Sequence, residues 1–433
     1  MKKILFAIAV AAAVMTGCKT QQASEEPEWF TNKAYFEEKN GLYEELPVYP
    51  ANIVMVGDDY IDRGLWNEFY GDTTIKNRGI TYDATPHVLY RIDKIAAQKP
   101  HKIFVSVGYN DIVKGSDKKE IVDNIGLIFK RIKKLSPDTK GWWLNIVCTD
   151  TLDEAQKDAA GFVNAEVAKL AAKGGFEVID IDSVLRDGIN DGSFSWDGGK
   201  YLNGAGYEAF AKALEGLMKR ESLVKANDKE YALEVSDYYK HRVSVFRALP
   251  DAKAKIVMLG NSLNNNAPWN ELFPMGYTIN RGISGDVVEG VDQRLDEIVP
   301  DVPSKIFLVT ATNDFVNDST IQAIDVWQKY EKLIKDIRAM FPATRLYVQS
   351  TLPLNPKSKF YLDNNAKIAE LNKLLFGAAE RYGYLYLDIA TPMSDENGDL
   401  REQYTTDGIH LSATGYFVWA AELAKGNRMM LMI

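Results

Sequence analysis

Four stretches of this chain recur at a fixed interval. Ile53-Val54-Met55-Val56-Gly57 returns as Ile256-Val257-Met258-Leu259-Gly260, and Trp66-Asn67-Glu68 as Trp269-Asn270-Glu271. Asn77-Arg78-Gly79-Ile80 returns as Asn280-Arg281-Gly282-Ile283, and Lys102-Ile103-Phe104-Val105 as Lys305-Ile306-Phe307-Leu308, each time 203 residues later. A period of that size is far too long for a solenoid unit and fits two copies of one domain. Whatever fold the unit adopts, a chain of 433 residues adopts it twice.

Each unit alternates strand-like and helix-like segments. In the second copy, Ile306 to Thr310, Arg345 to Thr351 and Tyr384 to Ile389 read as buried strands, apolar and bounded by polar residues. Ile321 to Met340 and Asn364 to Tyr382 carry apolar residues at helical spacing, and Gly383 stands where a helix C-cap belongs. This alternation predicts an α/β fold with a parallel central sheet and helices on both faces. The boundary between copies is expected near Lys225-Ala226-Asn227-Asp228-Lys229, which assigns 29–225 to the first domain and 226–433 to the second. Should the first copy's last helix run on into the second copy, the boundary would move by several residues.

The strand Lys255 to Gly260 is rich in β-branched residues and closes on Asn261 and Ser262, so Ser262 stands at the carboxyl edge of a central strand. Open α/β sheets bind their ligands at that edge. The plain reading of Ser262 is a helix cap. Three later stretches favour chemistry: Arg281-Gly282-Ile283-Ser284-Gly285-Asp286, Ala311-Thr312-Asn313-Asp314 and Thr406-Asp407-Gly408-Ile409-His410-Leu411. All three fall at strand ends or in loops, where they can converge on one sheet edge. Acyl transfer needs a nucleophile, a base, a group that orients the base and donors for the oxyanion. Ser262 is the candidate nucleophile and His410 the candidate base, with Asp407 close enough in sequence to hold the other imidazole nitrogen. The backbone N–H groups of Ser262 and Gly285, with the Asn313 amide, are the candidate oxyanion donors.

These blocks resemble the SGNH, or GDSL-like, hydrolase family, named for Ser, Gly, Asn and His in four separated blocks. Gly260-Asn261-Ser262 matches the first block, Gly285 the second, Asn313 the third, and Asp407 with His410 the Asp-x-x-His of the fourth. Ala311 departs from the pattern, because the family usually has glycine there. The resemblance covers roughly Lys255 to Lys425. It implies two flavodoxin-like three-layer α/β/α domains, serine esterase chemistry in the second copy and no cofactor.

The first copy departs further. The 203-residue offset places Asp59 at the position of Ser262, Tyr82 at that of Gly285 and Asn110 at that of Asn313. The last block becomes Trp196-Asp197-Gly198-Gly199-Lys200, without histidine. Nucleophile, base and one oxyanion donor are therefore expected to be missing and the first copy to be catalytically silent, with Asp59 capping a helix and Tyr82 filling the space that a small residue leaves open.

Residues 1–18 read as a lipoprotein signal. Lys2 and Lys3 precede an apolar run, Ile4 to Met15, that is too short to span a bilayer, and Thr16-Gly17 stand before Cys18 as in a lipobox. Cys18 is the expected lipidation site and 19–28 a polar tether, which places the protein in a bacterial cell envelope with the lipid holding it to the membrane. Cys148, the only other cysteine, is expected in the core, and neither it nor the four histidines form a cluster with metal-ligand spacing. A net charge of −9 argues against nucleic acid as a partner. The expected substrate is a small acyl ester, acetyl above all, on a carbohydrate such as a sialate or plant polysaccharide. A lysophospholipid ester is an alternative. So is a non-catalytic glycan-binding role carried by the first copy, under which deleting Trp29 to Lys225 would spare ester turnover. Trp269 is expected in packing, with sugar stacking as the other option, and Trp142-Trp143 in the core.

Overall fold

The computed structural model describes residues 32–225, 236–249, 256–274, 277–299, 303–361 and 364–429. The signal segment, Cys18, the tether and most of the expected boundary stretch lie outside these residues.

Two five-stranded, all-parallel sheets form, one per copy. The first contains β1 (Ile53–Gly57), β2 (Ile75–Gly79), β3 (Lys102–Ser106), β4 (Lys140–Leu144) and β5 (Phe176–Ile179). The second contains β6 (Ile256–Gly260), β7 (Thr278–Gly282), β8 (Lys305–Val309), β9 (Arg345–Gln349) and β10 (Leu385–Leu387). Their strand orders are β2-β1-β3-β4-β5 and β7-β6-β8-β9-β10. Both are the flavodoxin-like 2-1-3-4-5 order, which puts the first strand of each copy at the point where the winding reverses. Register repeats too: Gly57 pairs with Gly79 and Met55 with Phe104, as Gly260 pairs with Gly282 and Met258 with Phe307.

Alternation along the first strand explains why helices cover both faces. Val257 and Leu259 point into one apolar cluster, Ile256 and Met258 into another. Val54 and Val56 divide from Ile53 and Met55 in the same way in the first copy. Burying each such side chain contributes about 1.5–3 kcal/mol. The expected helices appear at Ala323–Met340 and Asn364–Tyr382, and Gly383 follows with φ 65°. Trp66 and Trp269 are buried, and each indole N–H donates to a carbonyl of the preceding turn, Ile61 at 2.8 Å and Asn264 at 3.1 Å. Packing therefore accounts for Trp269, which leaves no open face for a sugar. Trp142 and Trp143 are core residues of the first copy. Cys148 departs from expectation: β4 ends at Leu144, and the thiol sits half-buried in the loop beyond it.

Chain order and packing part company at two helices. The Lys33–Glu45 helix leads the first copy, yet it packs against the Ala413–Met429 helix of the second. Phe36, Leu42, Tyr43 and Leu46 join the cluster that holds Trp269, Tyr416 and Trp419. The Asp237–Ala248 helix leads the second copy and packs against Gly204–Met218 of the first, where Val245, Ala248 and Leu249 enter the core. The two copies face each other through reciprocal buried ion pairs. Arg78 donates to both oxygens of Glu271 at 2.9 and 3.0 Å, and Arg281 donates to Glu68 at 2.8 Å. Because 78 and 281, like 68 and 271, are equivalent positions, the contact is isologous, as in a twofold dimer built from one chain. Deleting Trp29 to Lys225 would strip a core helix from the second domain, so it cannot isolate one copy's role.

Candidate active site

The loops at the carboxyl edge of the second sheet bring the separated blocks together. β6 ends at Gly260, where a Cβ would stand 1.9 Å from the Val309 carbonyl oxygen, so only glycine lets the chain turn this close to β8. Asn261 then caps a short helix, Ser262–Asn265, by accepting from the Leu263 N–H at 3.2 Å. The capping role belongs to Asn261, which leaves the Ser262 hydroxyl for other partners.

His410 Nε2 lies 3.1 Å from Ser262 Oγ, and His410 Nδ1 lies 2.7 Å from Asp407 Oδ2. The carboxylate beside Nδ1 puts the proton there, so Nε2 is the acceptor for the serine hydroxyl. Asp407 is itself held by the N–H groups of Ile409 and His410 at 2.9 and 2.8 Å. The hydroxyl of Thr405 closes the loop, accepting from the Gly408 N–H at 2.8 Å and donating to the His410 carbonyl at 2.6 Å. Burial opposes charge on the imidazole, but the hydrogen bond and charge of Asp407, together with the charge of Glu38, raise the His410 pKa above its ordinary value. Burial likewise works against the Asp407 carboxylate, yet the His410 contact holds it down at about 2. His410 and Asp407 remain 29% and 36% exposed, so the pair is open to solvent on one side.

Gly285 and Asn313 approach from the two flanking loops. Gly285 has φ 84°, a left-handed turn after β7. Asn313 lies in the first turn of the Thr312–Asn317 helix after β8, and its Nδ2 donates to the Asp286 carbonyl at 2.8 Å, which ties it to the Gly285 loop. One Nδ2 hydrogen is left to point elsewhere. Beneath the loop, Arg294 pairs with Asp286 at 2.8 Å and donates to the carbonyls of Arg281 and Gly260 at 2.8 and 3.0 Å, locking β6, β7 and the loop together. Burial still pushes the Asp286 carboxyl up to about 6 against that arginine. Ala311 adopts φ 85° where the first copy has Gly108 at 125°, so the left-handed turn survives the substitution and Asn313 keeps its place. Asp388 accepts from the Thr391 N–H at 3.0 Å and supports its own loop.

Sequence reasoning did not single out Glu38. It is 1% exposed on the first copy's leading helix, within reach of the second copy's site. Its oxygens accept from Asn266 Nδ2 at 3.2 Å, and Oε1 lies 2.9 Å from the Tyr416 hydroxyl. Nothing in a helix that also carries Glu37, Glu44 and Glu45 marks it out; only the packing of one copy on the other does. The equivalent residue of the second copy's leading helix is His241, buried beside Asp197 at 3.9 Å and accepting from the Trp196 N–H at 3.0 Å.

The first copy's site corrects two expectations. Asp59 does not cap a helix. Its Oδ2 accepts from the Tyr82 N–H and from Asn110 Nδ2, both at 3.0 Å. Tyr82 keeps the left-handed turn, with φ 69°, so its backbone donor is retained rather than lost. Gly285 has open space where a Cβ would stand, which is why a tyrosine fits at the equivalent position. In the first copy a carboxylate oxygen thus lies between the two groups equivalent to the second copy's expected oxyanion donors.

The GDSL-like lipase/acylhydrolase family model matches residues 56–209 and 257–417. No curated protein matches the chain. Among solved structures, a Streptococcus pneumonia protein described as a candidate platelet activating factor is 27% identical, covering 42% of this chain and 89% of its own, with a TM-score of 0.39. A GDSL-like lipase from Bacteroides thetaiotaomicron is 23% identical over 44% of this chain and 98% of its own, with a TM-score of 0.40. An aryl esterase from M. smegmatis is 17% identical over 41% and 99%, with a TM-score of 0.33.

Proposed function

Because the chain belongs to the GDSL-like lipase/acylhydrolase family, in two tandem copies, we propose that it is a serine esterase working through Ser262, His410 and Asp407 of the second copy. The observation that carries this reading is the continuous hydrogen-bonded path from Asp407 through His410 to Ser262. In the reaction, Ser262 Oγ attacks the ester carbonyl while His410 Nε2 takes its proton. The N–H groups of Ser262 and Gly285 and the free Asn313 hydrogen receive the oxyanion. The imidazolium then protonates the departing alcohol, and water activated by His410 releases the acid from the acyl-serine. Asp407 stabilises the imidazolium without taking its proton.

We further propose that the substrate is a small acyl ester, acetyl above all, on a carbohydrate. The solvent-facing position of His410 and Asp407 supports this, since a hydrated alcohol can stay in water while its ester meets Ser262. Lipid attached at Cys18 would hold the enzyme in the cell envelope, where such glycans are met. Turnover of p-nitrophenyl acetate is expected to fall by at least about a thousandfold in Ser262→Ala. Equal rates in the two proteins would remove the nucleophile assignment. Among p-nitrophenyl esters, acetate should exceed long-chain esters in kcat/KM; the reverse order would point to lipid esters. Cys18→Ala should leave the membrane fraction.

A further inference from the structure

The first copy retains a cavity of about 290 Å³ at the carboxyl edge of β1 and β3, the place where the second copy carries Ser262. That volume is near the lower end for small-molecule sites and suits a ligand about the size of one substituted ring. Asp58, Asp59, Tyr60, Tyr82 and Tyr109 line it, with apolar walls that include Val107, Leu144, Ile146 and Phe210.

We propose that this cavity binds a small organic ammonium ion carrying an apolar or aromatic body.

The argument is one of inverted polarity. In an esterase the groups at this edge point hydrogen-bond donors at a carbonyl. Here two of those donors, the Tyr82 N–H and Asn110 Nδ2, are already taken by Asp59, whose carboxylate would repel a developing oxyanion. What the cavity offers is acceptors. Asp58 is 6% exposed and lines the cavity, and the neighbouring charges that bear on it are the carboxylates Asp59, Asp83 and Asp111. Burial, reinforced by those carboxylates, pushes its carboxyl well above the usual range. Buried acids elsewhere in the same domain have cations at hand, Lys39 for Asp62 at 3.0 Å and Arg91 for Asp83 at 2.8 Å. Lys200, the one cationic residue of the lining, is exposed, and its Nζ stands 5.2 Å from the Tyr201 ring centroid. Arg63 bears on Asp59, and Lys114 on Asp59, Asp83 and Asp111, so Asp58 is the carboxyl with no cation among the charges that bear most on it. A ligand ammonium group would supply that counter-charge, and the tyrosine rings would add cation–π attraction. The apolar walls favour an amine with a hydrocarbon body over a neutral sugar, whose hydroxyls they would leave unpaired.

The test is calorimetric titration of the full chain with phenethylammonium, set against 3-phenylpropanoate, 2-phenylethanol and glucose. One ammonium ion should bind per chain, and Ser262→Ala should bind it as the unaltered protein does, which separates this site from the esterase. Asp59→Asn and Asp58→Asn, with melting curves to show that they fold, should bind at least about tenfold more weakly. Tyr82→Ala provides the same reading if a buried substitution prevents folding. The proposal is overturned if the amine shows no saturable binding at millimolar concentration, if the carboxylate, alcohol or sugar binds as well as the amine, or if binding is indifferent to these substitutions.

Discussion

The two copies share a scaffold and differ at its tip. Both keep the strand order, the paired glycines at the ends of the first two strands, and the buried aspartate–arginine clamp beneath the loop, Asp83 with Arg91 and Asp286 with Arg294. Both keep a carboxylate that accepts from the first N–H of the next helix, Asp111 from Thr85 and Asp314 from Val288. What changes lies in the loops at the strand ends: a serine facing an imidazole in one copy, and in the other a carboxylate turned onto neighbouring donors, with Tyr82 for Gly285 and no histidine in the last block. The parallel sheet and its clamps are indifferent to that choice, because the side chain at the tip bears no load in the core. The comparison shows that one scaffold can carry two different sets of side chains at the same sheet edge.

The sharpest way to break the comparison is to write the first copy's answer into the second. Ser262→Asp should abolish turnover, a loss of at least about a thousandfold, while the melting temperature stays close to that of the unaltered protein. Its carboxylate should take the Gly285 N–H and the Asn313 amide, as Asp59 takes their counterparts. A crystal structure showing that carboxylate swung away to solvent would end the equivalence.

The next largest effect concerns the interface. Glu271→Ala leaves Arg78 buried at 0% exposure without its partner and should cost about 3–5 kcal/mol in unfolding free energy. Glu68→Ala strands Arg281 at 2% exposure and should cost a similar amount. A chemical-denaturation series in which only one of the two is destabilised would show that the interface is not symmetric in energy.

The third prediction separates charge from packing at Glu38. The acid limb of kcat/KM reports His410 losing its proton. Since His410 is raised by Asp407 and Glu38, that limb should lie above the ordinary imidazole value, with activity falling as pH drops through it. Glu38→Gln keeps the shape, removes the negative charge and destabilises the imidazolium, so the limb should move to lower pH. A purely structural Glu38 would alter rate or stability and leave the pH profile where it was.

The smallest effect lies at Ala311. Glycine there would relieve a left-handed backbone costing about 1–2 kcal/mol, offset by about 0.4–1 kcal/mol of added freedom in the unfolded chain. Ala311→Gly should therefore gain roughly 0.5–1 kcal/mol by thermal melting, and a loss instead would mean that the Ala311 methyl packs better than its backbone is strained.

Much of this was legible in sequence because the relevant signals are local. The β–α alternation, Gly383 as a helix terminus and each of the four blocks holding Ser262, Gly285, Asn313, Asp407 and His410 depend on neighbours a few residues apart, and the repeat shows when one copy's local pattern is laid on the other's. Tyr82 misled because its size was judged and its backbone was not: the φ of 69° that keeps its N–H in place is invisible in a side-chain list. Asp59 misled for a related reason. Its partners are a loop 23 residues on and an asparagine 51 residues on.

By itself, then, the order of residues determined two α/β units, their shared strand pattern and the members of the serine–histidine–aspartate set. Those follow from periodicity and from turns that only certain residues can make. Tertiary structure alone decided that each copy's leading helix crosses to the other, that Glu38 lies within electrostatic reach of a histidine 372 positions away, and that Asp59 occupies its own domain's donors. Those contacts join residues from 23 to hundreds of positions apart, and a side chain's partners across such distances are set by how apolar faces close on one another.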